Sequence, residues 1–153
     1  VEIIMDSDFA IAQGEAVTDS EIAALRMAVG WDSCAGEYEK ILPRLFAYFT
    51  ARQNGKLVGF VSVISDGVAD AFLVDLMVHP KWRRRGIGSA LVKAAVHYVV
   101  DRDIRCTQVA FCPPEEPFFQ KLGFYVMKAG VIDTKHNPPA FQHAAPRDGS
   151  TRA

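Results

Sequence analysis

Residues 74–89 read Val-Asp-Leu-Met-Val-His-Pro-Lys-Trp-Arg-Arg-Arg-Gly-Ile-Gly-Ser, and no other stretch constrains the fold as strongly. The apolar first part reads as a strand, the basic middle as a short loop, and the part from Gly86 as the start of a helix. A strand that runs through a glycine loop into a helix aims several free backbone N–H groups at one point, at the positive end of the helix dipole. Glycines at 86 and 88 let a ligand approach the backbone without meeting a Cβ. The segment therefore predicts an anion site suited to a phosphorylated molecule. Lys81, Arg83, Arg84 and Arg85 would suit a nucleic-acid patch as well. The formal net charge of −1 argues that the basic cluster is local, and no nucleic-acid partner is expected.

The chain of 153 residues is most simply one domain, long enough to bury about two-thirds of its unfolded surface. Half of the residues are hydrophobic and 23% charged, as in ordinary globular proteins. Cys34, Cys106 and Cys112 show no paired spacing, so neither a disulfide framework nor a zinc site is expected, and a cytoplasmic location follows. No apolar run approaches the roughly 20 residues needed to span a bilayer, and the first residues lack the pattern of a secretory signal.

Local signals predict the order of elements. Ile3-Ile4-Met5 reads as a short strand. Thr18 and Glu21 form a capping box for a helix that carries Ile22, Leu25, Arg26 and Val29 and closes at Gly30. A second short helix runs from Tyr38 to about Leu45, with Pro43 at its limit. Strands at 46–53 and 57–65 flank the turn Asn54-Gly55, and a third at 71–78 follows Asp66-Gly67. An apolar stripe of Ala90, Leu91, Ala94, Ala95, Tyr98 and Val99 predicts a helix to about Arg102. A strand at 106–111, a helix at 115–121 and a strand at 124–127 complete the series, with 130–133 as a further strand. The fold class is α+β: a mixed, mostly antiparallel twisted sheet flanked by about four helices. Residues 1–135 are expected to form this domain. Residues 136–153, with Pro138-Pro139 and Pro146 and no periodicity, read as a mobile tail.

Arg83-Arg84-Arg85-Gly86-Ile87-Gly88 satisfies the Arg/Gln-x-x-Gly-x-Gly/Ala phosphate motif of the GNAT superfamily of N-acetyltransferases, which this chain resembles from about Ala16 to Val131. Phe118-Phe119-Gln120-Lys121-Leu122-Gly123-Phe124 is similar to the family's late Phe-Tyr-x-Lys-Leu-Gly-Phe signature. The resemblance implies acetyl-coenzyme A as cosubstrate, with the pyrophosphate on backbone N–H groups from Arg84 through Gly86, Ile87 and Gly88 to Ser89. Arg83, Arg84 and Arg85 would add positive charge. Leu76, Met77 and Val78 would template the pantetheine arm, and the Leu76 N–H would polarise the thioester carbonyl. Phe119 would border the cofactor. The implied reaction is acetylation of a primary amine, of a small molecule in the leading reading. Acetylation of a peptide or protein amine, or a coenzyme A-binding module without catalysis, are the alternatives. No metal and no membrane partner are implied, and a homodimer is compatible with the family.

Acetyl transfer needs a neutral amine, a stabilised oxyanion and a protonated leaving thiolate. Many members of the family protonate the thiolate with a tyrosine in the late signature. Here that position is Phe119, which cannot donate. Tyr125 and Cys112 are the substitutes within reach in sequence, and water is another. Asp75 and His79 are the candidate bases. Asp75 interrupts an apolar strand, where an unpaired carboxylate is costly, so it is either a functional group or a carboxylate that is paired with an arginine or set at a sheet edge. His79 has an unperturbed pKa suited to proton transfer. Strand alternation sets Asp75, Met77 and His79 on one face and Leu76 and Val78 on the other. Gly30-Trp31-Asp32-Ser33, Ser65-Asp66-Gly67, Asp75 and Asp101-Arg102-Asp103-Ile104 resemble an arylalkylamine-type (serotonin-like) subgroup. Trp31 is the candidate wall of the amine pocket, by stacking or cation–π contact.

Overall fold

The computed structural model of the protein describes residues 9–130 and the backbone of a strand at 3–5. Among these residues, six strands form one sheet in simple sequence order: β1 (Ile3–Met5), β2 (Ala10–Gln13), β3 (Ala47–Gln53), β4 (Lys56–Ser65), β5 (Asp70–Val78) and β6 (Cys106–Val109). The first five pair antiparallel and β6 lies parallel to β5. A parallel neighbour requires a crossover, and helix α3 (Ile87–Val100) supplies it. Helices α1 (Asp19–Ala28) and α2 (Tyr38–Ile41) sit between β2 and β3 in the chain, and α4 (Glu116–Lys121) follows β6. The expected mixed α+β sheet with four helices is what forms.

Local chemistry accounts for most of these boundaries. The Thr18 side chain accepts from the Glu21 N–H while the Glu21 carboxylate accepts from the Thr18 N–H, closing the capping box that starts α1. Pro43 ends α2 by forcing the chain into a single 3-10 turn at Leu42–Arg44. At the β3–β4 hairpin, Asn54 and Gly55 both have positive φ, 48° and 77°, as a tight two-residue turn requires.

Each sheet face carries its own core. Beneath α3, Ile87, Leu91, Val92, Ala95 and Val99 pack on Phe49, Val61, Val63, Ala71 and Leu73. Gly59 makes this contact close: a Cβ there would sit 2.9 Å from Leu91 Cδ1 and 3.0 Å from Ile87 Cγ2. On the other face, Ile22 and Leu25 of α1 and Tyr38 of α2 pack on Leu57, Phe60 and Met77.

Two expectations are corrected. Strand β2 was not anticipated: Ala10-Ile11-Ala12-Gln13 is short and alanine-rich, and its partners β1 and β3 on either side define it. The strand expected at 124–127 does not form. Gly123 (φ 94°) turns the chain, the Phe124 N–H bonds back to the Phe119 carbonyl, and Tyr125 and Met127 stay 79% and 73% exposed. A strand needs a partner for its backbone groups, and among the described residues 124–127 have none. Most of the expected strand at 130–133 and all of the expected tail at 136–153 lie outside the described residues.

Candidate active site

The loop before α3 is built as an amide cradle. Gly86 caps the helix in the left-handed conformation (φ 83°), with Arg84 also at positive φ (64°) just before it. Among the described residues, no N–H from Arg84 to Ser89 donates to another group of the chain; the first that does is Ala90, to the Gly86 carbonyl. These unsatisfied donors converge at the positive end of a helix of 14 residues, an arrangement that favours an anion. Gly88 lies against the Phe118 ring and Val78, where an added Cβ would come within 3.5 and 3.6 Å.

The three arginines do not act alike. Arg83 and Arg84 line the cleft in front of the cradle, and Arg83 Nε donates to the Val78 carbonyl at 3.2 Å. Arg85 turns away from that cleft, with its guanidinium 4.5 Å from the centre of the Trp82 ring. The Arg85 side chain thus stacks beside the cleft instead of lining it, while its backbone N–H stays among the free amides of the cradle.

Strands β5 and β6 open the cleft by parting. Their parallel pairing runs from Asp70–Cys106 to Leu73–Val109 and stops there. Beyond it, the β5 edge from Val74 to Val78 has no strand partner on that side among the described residues. The gap widens into a cleft of about 970 Å³ lined by Trp31, Asp75, Leu76, Val78, Gly86, Gly88, Ser89, Phe118 and Phe119, among others. His79 donates its N–H to the Val58 carbonyl on β4. By alternation Met77 also faces β4, while Leu76 and Val78 turn their backbone groups to the open edge.

Asp75 marks a break in β5. Phe60 pairs with Met77 but Ser62 pairs with Val74, so β5 carries one residue more than β4 over this interval. Asp75 takes up the extra length in a left-handed conformation (φ 55°). The bulge reverses the parity of the strand: Ala71 and Leu73 face α3 before it, and Leu76 and Val78 face α3 after it. Met77 is thereby sent to the opposite core, 1% exposed. Its expected place in the cofactor pocket is corrected, since neither its side chain nor its edge groups reach the cleft.

At this end of the cleft, residues distant in sequence meet. Asp75 Oδ2 accepts from the Tyr38 hydroxyl at 2.7 Å, and Asp75 Oδ1 accepts from Arg26 Nη1 at 3.3 Å. The same Arg26 nitrogen reaches the Tyr38 hydroxyl oxygen at 3.1 Å, and Arg26 Nε donates to the Asp32 carbonyl at 2.6 Å. The Arg26 guanidinium lies 5.3 Å from the centre of the Trp31 ring. Burial, and then the bond to Asp75, push the Tyr38 phenol above its ordinary value, so it stays a proton donor. Asp75 is thus paired with an arginine and still lines the cleft. The cation–π face of Trp31 is used by Arg26, and Trp31 is 43% exposed on the cleft.

His79 does not join them. It caps the 3-10 turn Pro80–Trp82, with Nδ1 accepting from the Lys81 N–H at 3.2 Å, and it does not line the cleft. Partial burial, with Lys56, Lys81 and Arg83 nearby, lowers its pKa. As a base facing the cleft it is corrected to a loop cap. Phe119 does border the cleft, 4% exposed and stacked on Phe111. Tyr125 and Cys112 do not line it; the Cys112 N–H donates to Glu115 Oε2 at 2.9 Å. Arg26 and Tyr38 were missed as site residues. Each reads as an ordinary helix position, and only the proximity of 26, 38 and 75 reveals the trio.

The chain is 41% identical over 71 residues to "GCN5-related N-acetyltransferase 3, chloroplastic" of Arabidopsis thaliana, a match covering 46% of this chain and 30% of that protein. The chain thus spans about a third of the length of that relative. A GNAT-family acetyltransferase structure from Streptococcus pneumoniae TIGR4 superposes with a TM-score of 0.72 at 27% identity, over 84% of this chain and 99% of the other. The fold is shared also with an aminoglycoside N-acetyltransferase, AAC(6')-Iy, solved in complex with CoA: TM-score 0.67, 22% identity, 86% of this chain and 97% of that one. The model of the acetyltransferase (GNAT) family matches residues 16–124, from the approach to α1 to the turn after α4, and the chain belongs to that family.

Proposed function

We propose that this chain transfers an acetyl group from acetyl-CoA to a primary amine of a small molecule. One observation carries the reading: the open edge of β5, with Leu76 and Val78 turned toward it, runs directly into the amide cradle of Arg84 to Ser89. A peptide-like arm ending in a pyrophosphate matches both halves at once, the first by strand addition and the second by free N–H groups. The structures solved with CoA and with a bisubstrate analogue of CoA and acetylneamine share the fold and support the choice of ligand.

In this reading acetyl-CoA supplies an acetyl group activated as a thioester. The Leu76 N–H polarises the thioester carbonyl as a single oxyanion donor. Val78 pairs with the arm through its N–H, since its carbonyl is taken by Arg83. Arg83 and Arg84 neutralise phosphate charge. Asp75 holds the acceptor ammonium at the far end of the cleft and takes its first proton toward solvent, and Trp31 forms the outer wall. The nitrogen then forms the C–N bond as the C–S bond breaks. The second amine proton is lost to water and the thiolate gains one from water, because Phe119 cannot donate. His79 has no part in these steps.

Three free cysteines among the described residues fit a reducing compartment, the cytoplasm in our reading. No helix among the described residues is long and apolar enough to cross a membrane. Thiol release from acetyl-CoA, measured with a panel of small amines and a matched panel of peptides, tests the proposal. Release is expected with small amines. Release with peptides alone would transfer the reading to protein acetylation, and tight CoA binding without release for any acceptor would end it.

A further inference from the structure

We infer that Arg26 and Tyr38 are positioning residues for acetyl transfer: through Asp75 they hold the β5 bulge that sets the direction of the Leu76 N–H. The inference rests on the proposed function for the meaning of that N–H, but its physical basis is independent. Neither residue lines the cleft, whereas Asp75 does.

Asp75 is a non-glycine residue at φ 55°, a conformation that an L side chain holds only when its surroundings enforce it. Aspartate tolerates this region better than most residues, yet nothing in the local sequence demands it. The enforcement is visible in the hydrogen bonds. One carboxylate oxygen is held by Tyr38 and the other by Arg26, at 2.7 and 3.3 Å, and both bonds are charge-assisted. Removing either frees Asp75 to relax toward extended backbone. Relaxation would shift the parity of the strand, because the bulge alone lets Leu76 and Val78 follow Ala71 and Leu73 onto the α3 face.

The two holders are themselves held. Asp19, in the first turn of α1, accepts from the Gly36 N–H at 2.8 Å and the Tyr38 N–H at 2.9 Å. Arg26, in the last turn, grips the Asp32 carbonyl at 2.6 Å. Both ends of the loop between α1 and α2 are thus anchored to α1, and its position is passed through Tyr38 and Arg26 to the bulge. The loop that carries Trp31 and the strand that carries Leu76 form one mechanical unit. Among the described residues, no hydrogen bond joins the amides of Arg84 to Ser89 to the loop between α1 and α2.

The test compares Tyr38→Phe, Arg26→Gln and Arg26→Lys with the wild type in the full chain, reading kcat, acceptor KM, CoA affinity by calorimetry, and the ¹⁵N amide resonance of Leu76. Tyr38→Phe removes a single hydroxyl and keeps the ring, so it retains the packing against Phe60. We expect kcat to fall about tenfold or more in Tyr38→Phe and Arg26→Gln with acceptor KM less affected, as for an interaction felt mainly in the transition state. CoA affinity should stay within about twofold, and Arg26→Lys should recover part of kcat. The Leu76 resonance should move in both deficient variants. A kcat within about threefold of wild type, a CoA affinity that falls in step with kcat, or an unmoved Leu76 resonance would each overturn the inference. If the wild type acetylates no amine, the proposed function fails by itself, and the Leu76 resonance still decides whether Tyr38 and Arg26 set the bulge.

Discussion

Tyr38 donates its hydroxyl to Asp75 across 2.7 Å, and so ties the first turn of α2 to a strand residue 37 positions further along the chain. The bond holds a carboxylate that lines the cleft and keeps the phenol protonated. Because burial and then Asp75 raise the folded-state pKa of Tyr38 above its ordinary value of 10.0, the folded protein retains a proton that the unfolded chain gives up. The resulting stabilisation is complete below pH 10 and declines as pH rises toward the higher folded value. Alkaline unfolding monitored by circular dichroism should show this loss, and Tyr38→Phe should flatten that part of the curve.

Acid acts on another group. The Glu21 carboxylate is held at about pKa 2, below its ordinary value of 4.5, chiefly by the hydrogen bond from Arg52 Nη1. A depressed carboxylate stabilises above its unfolded pKa, and that contribution is lost as pH falls through the folded one. Melting temperature should therefore drop between pH 4.5 and about 2, with a shallower slope in Glu21→Gln. An equal slope in both proteins would mean that other carboxylates govern the acid limb.

Gly86→Val places a β-branched residue at φ 83°, at the point where the cradle amides converge. The strain of about 1–2 kcal/mol alone is tolerable for a folded domain, but relieving it redirects the amides. Calorimetry should show CoA affinity reduced at least about tenfold, a loss of roughly 1.4 kcal/mol, with helix content retained. Unchanged affinity would refute the cradle as the phosphate site.

Gly59→Ala puts a methyl group 2.9 Å from Leu91 Cδ1, 3.0 Å from Ile87 Cγ2 and 3.1 Å from Ala51 Cβ. Leu91 can yield a little, while Ala51 sits on a paired strand. Overpacking of this kind costs about 1–3 kcal/mol, to be read by urea denaturation. The substitution also lifts α3 from the sheet, so CoA affinity should weaken together with stability.

His79→Ala removes a loop cap and a side chain that does not reach the cleft. Its expected effect on kcat is within about threefold across neutral pH. Asp75→Asn should lower kcat by about tenfold or more, with CoA still bound. The reverse ranking of the two variants would return the role of base to His79.

What the sequence determined by itself is local. The capping box of Thr18 and Glu21, the Asn54-Gly55 turn, the stripe of α3 and the glycine loop at 86–88 all depend on groups a few residues apart. Their hydrogen bonds and dihedral preferences are the same in any fold that contains them. The cradle of free amides was legible for that reason, because its donors are consecutive. The tertiary structure decided whatever depends on a partner distant in the chain. Strand β2 exists because two neighbours pair with it, and 124–127 is not a strand for want of one. Asp75 belongs to Arg26 and Tyr38 because two helices pack over β5, and His79 leaves the cleft because its loop engages its ring nitrogen. Alternation placed Leu76 and Val78 on the right face, but could not foresee that one extra residue, accommodated by a left-handed Asp75, reverses the parity of the strand on which the open edge depends.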